Sequence, residues 1–136
     1  GLLQMQLRRL HTMRIIRSNR HKYCADGSFM KEFVLDSEVT PEFLDFLKRF
    51  GTLEMLPGLG EGFYKFEKKD CFSIKGFVNE SGFEVRFKKE VMDFTSDFLY
   101  SLLYYYQNGK PDFKTLSRRE EALIERVKTR LYGSSS

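Results

Sequence analysis

Between residues 63 and 89 hydrophobic side chains recur at every second position. Phe72, Ile74 and Gly76 alternate with Cys71, Ser73, Lys75 and Phe77, and Phe83, Val85 and Phe87 alternate with Glu84, Arg86 and Lys88. A period of two belongs to a strand with one buried and one wet face. Phe63–Lys68, Cys71–Val78 and Gly82–Lys89 are accordingly predicted strands. The links Lys68-Lys69-Asp70 and Asn79-Glu80-Ser81-Gly82 are short and turn-rich, which suits antiparallel neighbours and gives a β-meander.

Elsewhere the period lengthens. Phe43, Leu44, Phe46, Leu47 and Phe50 recur at helical spacing. Thr40 is a good N-cap before them, Pro41 suits the first helical position, and Gly51 is a natural stop. Two further helices are predicted over residues 90–108 and 117–132. The second opens on Ser117-Arg118-Arg119-Glu120, the pattern of a capping box, and its stripe of Leu116, Leu123, Ile124, Val127 and Leu131 is expected to face inward. Upstream, residues 13–17 suggest a first strand and residues 18–28 a loop or arm. Short strands follow around Phe33-Val34-Leu35 and over Thr52–Leu56. Strands cluster instead of alternating with long helices. The expected class is α+β, an antiparallel β-meander sheet packed on one face by helices.

Charge divides the chain. Residues 1–24 hold Arg8, Arg9, Arg14, Arg17, Arg20 and Lys22 and no acid, whereas residues 25–136 hold 17 basic and 19 acidic side chains. The net charge of +4 therefore belongs to a basic N-terminal arm or leader over 1–24, of which 1–12 read as a leader or non-native remnant. A single domain is expected over 25–133 and a tail over 134–136. On this distribution the body carries no basic patch. Phe supplies the aromatic mass, with 14 Phe and 7 Tyr against no Trp. No apolar run reaches the 18 or so residues of a membrane span, and no export signal is evident. The default location is cytoplasmic, with Cys24 and Cys71 as free thiols.

Signals for chemistry are sparse. Gly58-Leu59-Gly60-Glu61-Gly62 has the glycines of a phosphate loop but leads into a strand, lacks a following Gly-Lys-Ser/Thr, and carries an acid that repels anions. His21 and Cys24 form one loose pair where a zinc site needs three or four ligands. No metal site, cofactor or catalytic set is assigned.

The most suggestive element is the helix over 91–107. Phe94, Phe98, Leu102 and Tyr105 form one stripe, Met92, Leu99, Leu103 and Tyr106 an adjacent one, and Tyr100 and Tyr104 lie beyond both. A surface helix needs an apolar stripe of only about 100°. The expectation is a non-catalytic binding or assembly module forming a homo-oligomer, with Phe98, Tyr100, Tyr104 and Tyr105 at the interface. The alternative is a nucleic-acid-binding protein that contacts phosphates through Arg14, Arg17, Arg20 and Lys22. A third reading is an enzyme whose active site assembles from residues distant in sequence.

Overall fold

The computed structural model describes residues 13–106 and 110–133. Its centre is one six-stranded antiparallel sheet built from β1 (Ile15–Tyr23), β2 (Ser28–Leu35), β3 (Thr52–Met55), β4 (Phe63–Lys68), β5 (Phe72–Phe77) and β6 (Gly82–Lys88). Their order across the sheet is β1-β2-β6-β5-β4-β3. The expected meander is present as β4–β5–β6, with Ile74 opposite both Phe66 and Val85. Asp70 and Asn79 take positive φ, 63° and 74°, at its two turns. Aspartate and asparagine tolerate that conformation better than other side chains with a Cβ.

Two features lay outside the sequence reading. The N-terminal hairpin β1–β2 docks on β6, with Phe33 opposite Phe83 and Phe29 opposite Phe87. Residues 18–23, expected as part of a loop or arm, continue β1 to the edge of the sheet. Register shifts between Ile15 and Arg17 and between Asn19 and Lys22 interrupt the pairing with β2. Such bulges break the side-chain alternation that would have marked the strand. Part of the positive charge assigned to an arm therefore lies on the folded body.

Among the described residues three α-helices cover one sheet face. The first, α1 (Pro41–Leu47), is capped as expected, Thr40 Oγ1 accepting from the Phe43 amide at 3.1 Å. The second, α2 (Met92–Tyr105), follows a 3₁₀ turn over Lys89–Val91. The third, α3 (Phe113–Tyr132), starts earlier than expected, because Asp112 Oδ1 accepts from the Thr115 amide at 3.1 Å. Ser117 thus lies inside the helix, and Glu120 is free to bond elsewhere. Leu116, Leu123 and Val127 are buried, Leu131 is half-buried, and Ile124 is exposed, a correction to its place in the inward stripe.

Phe33, Phe66, Phe72, Ile74, Phe83, Val85 and Phe87 of the sheet meet Phe43, Leu47, Phe98, Leu99 and Leu102 of the helices in one core. The opposite sheet face carries Glu32, Glu84, Lys75, Lys65 and Glu54 in cross-strand register. Glycine is required at position 76, where a Cβ would lie 2.8 Å from the Tyr64 hydroxyl, and at position 51, where it would lie 2.4 Å from the Glu67 carbonyl oxygen.

Candidate functional site

The helix α2 presents two different sides. Spaced by the helical period, Phe94, Phe98, Leu99, Leu102 and Leu103 point into the core and are buried. Tyr100 and Tyr104, one turn apart, keep 39% and 68% of their surface exposed. The Tyr100 ring meets the buried Phe33 ring edge-on at 6.3 Å. Between these tyrosines and the start of β1 runs an open apolar groove of about 410 Å³. Met13, Ile15, Phe33 and Leu103 form its walls, and Arg14 and Ser18 stand at its margin. Partial burial raises the Tyr100 pKa, with a smaller contribution from the Asp97 charge. The hydroxyl therefore stays neutral and can donate a hydrogen bond across a contact.

The four expected interface residues do not stay together. Tyr100 and Tyr104 border the groove. Phe98 is buried against Phe50, their centroids 6.0 Å apart, and belongs to the core. Tyr105 is half-buried, with Tyr104 edge-on at 4.9 Å and the Arg119 guanidinium 5.4 Å from its ring centroid. Of the expected phosphate contacts, Arg14 is paired with Asp36 at 3.2 Å. Arg17 and Lys22 are exposed on β1, and the Arg20 side chain lies outside the described residues.

A second concavity, about 710 Å³, lies between the β4–β5 turn and α3. Phe50, Ile124, Val127 and Tyr132 supply its apolar lining, and Lys68, Lys69, Lys128 and Asp70 its polar part. In the sequence Lys68 ends the expected strand Phe63–Lys68 and opens the link to the next. Its β4 register turns it inward, and it is only 7% exposed. A buried ammonium needs acceptors, and Lys68 Nζ donates to the Phe50 carbonyl at 2.8 Å and to Glu120 Oε2 at 2.5 Å. The Phe98 ring lies below it at 5.4 Å. The lysine is thus a tie joining β4, the turn after α1, and α3. Burial pushes the neighbouring Cys71 thiol up to about 11, which makes it a poor nucleophile near neutral pH. At the mouth, the Tyr132 hydroxyl donates to Asp70 Oδ2 at 2.9 Å. The tie could have been suspected from the alternation Tyr64, Phe66, Lys68, which continues an inward-facing row.

Among the described residues no three His, Cys, Asp or Glu side chains come together as metal ligands would. No helix of the described chain is long and apolar enough to cross a membrane. Comparison with protein-family models, with curated proteins and with solved structures found no significant match.

Proposed function

We propose that the protein is a non-catalytic assembly module that pairs with a second copy of itself through the groove between β1 and α2. The observation that carries this reading is the pair of exposed rings, Tyr100 and Tyr104, beside an apolar groove that is open among the described residues. Contiguous exposed apolar surface of this kind marks contact sites, and tyrosine is favoured at their cores because its ring buries area while its hydroxyl still finds a partner. The neighbouring edge strand β1 lends further support, since Ile16 is 59% exposed on it. Two-fold symmetry sets each groove against its own copy, so that a ring of one protomer enters the groove of the other.

Light scattering at micromolar concentration tests the reading. The expected mass is twice 16.1 kDa, with Tyr104→Glu reduced to a single chain. A stable contact of this sort buries roughly 1,200 Å² or more in total. A single-chain mass for the unaltered protein, or a dimer indifferent to Tyr104→Glu, overturns the assignment.

A further inference from the structure

At the far end of β1 the character of the edge changes. Arg17, Arg20, His21 and Lys22 follow one another with no acid in the strand. Tyr23, 67% exposed, closes it. The cross-strand register puts Tyr23 beside Phe29, and Phe29 beside Phe87, on the helix-covered side of the sheet. The Tyr23 and Phe29 rings meet edge-on at 4.7 Å, and the His21 ring lies 6.2 Å from Phe29. Two lysines flank them, Lys89 Nζ at 5.7 Å from the Tyr23 centroid and Lys31 Nζ at 5.9 Å from that of Phe87. Two acids lie close by: Asp26 accepts from Ser28, and Asp26 and Glu90 line a crevice with Arg86 and Lys88.

We infer that this corner binds single-stranded nucleic acid, with a base laid against Tyr23 and backbone phosphates held by Lys31 and Lys89, which share its side of the sheet. Exposed ring surface beside lysines is the combination that recognises an unstacked base and its phosphates. A duplex hides its base faces, and an acidic peptide has no use for the exposed ring. The inference stands apart from self-association, because the tyrosine groove lies at the opposite end of the strand.

Fluorescence anisotropy of a dye-labelled oligothymidylate about 12 nucleotides long, added to the full chain, tests it. Two phosphate contacts give a salt slope near −1.4, so affinity should fall roughly sevenfold between about 50 and 200 mM salt. Tyr23→Ala should weaken binding roughly tenfold or more with the slope unchanged, while Tyr23→Phe, which keeps the ring, should bind as the parent does. Lys89→Glu should weaken binding and flatten the slope. Tyr23 is largely exposed, so circular dichroism should show both variants at that position folded. The inference is overturned by no anisotropy change at low salt, by equal binding of a duplex of the same length, or by a Tyr23→Ala protein that binds undiminished. Binding to anionic vesicles without binding to the oligonucleotide would also overturn it and assign the corner to membranes.

Discussion

The space between sheet and helices and the rim of the molecule use different aromatics. All fourteen phenylalanines are buried or half-buried, whereas four of the seven tyrosines, Tyr23, Tyr100, Tyr104 and Tyr132, are exposed. A phenyl ring gains from leaving water entirely, while a phenol ring gains only if its hydroxyl keeps a partner. The two rings of α2 that differ most, Phe98 and Tyr104, lie six residues apart on one helix. Their separation into core and surface is set by the 100° step per residue. An aromatic count alone would treat them as equivalent, and their expected contributions are opposite: one holds the fold, the other leaves a surface for contact.

The sharpest way to break this contrast is to truncate both rings. Phe98→Ala should cost about 3–5 kcal/mol in urea unfolding, because it opens a cavity under the Lys68 ammonium. Tyr104→Ala should stay within about 0.5 kcal/mol of the parent when the protein is held monomeric by dilution. Similar losses at both positions would show that the rim is as structural as the core.

A smaller effect separates the two partners of the Lys68–Glu120 pair, whose side chains are 8% and 24% exposed. Glu120→Ala leaves a nearly buried ammonium with one acceptor fewer, and a loss of about 3 kcal/mol is expected. Lys68→Met leaves a carboxylate that can turn to water and should cost less. The order of the two thermal midpoints is the measurement, and a reversed order would remove the lysine from its place as the more deeply held charge.

The smallest effect concerns the tyrosine that breaks the pattern. Tyr64 is fully buried, and its hydroxyl has no hydrogen-bond partner among the described residues. Burial, with a smaller contribution from Glu80, raises its pKa well above the usual phenol value. Tyr64→Phe should therefore be neutral or stabilising by about 1 kcal/mol in urea unfolding. A loss of that size would mean that the hydroxyl is satisfied in the folded protein.

Local signals in the sequence were sufficient for part of this architecture. The Thr40 cap, the α1 face and the β4–β5–β6 alternation each depend on residues close together in the chain, and the structure contains all three. The placement of Tyr100 and Tyr104 outside the apolar stripes of α2 was legible for the same reason. What escaped depends on distance or competition. The docking of β2 on β6 joins residues some fifty to sixty positions apart, and nothing in Ser28–Leu35 names its partner. Asp112 competed successfully with Ser117 for the start of α3. The burial of Lys68 escaped because its acceptors, Phe50 and Glu120, come from other parts of the chain. For the groove, the sequence offered the two tyrosines but not the β1 residues Met13 and Ile15 that complete it.

The clasp between β2 and β6 has a consequence for biosynthesis. The β1–β2 hairpin leaves the ribosome before β6 has been made, and the stretch from Leu35 to Gly82 takes roughly two to ten seconds to synthesise. During that wait the β2 edge and the row Phe29, Phe33, Leu35 have no sheet to join. A nascent hairpin in this state is open to pairing with neighbouring chains on a polysome. The bulges and cations of β1 work against such pairing on one side of the hairpin, which leaves the β2 edge as the side that a chaperone would need to shield.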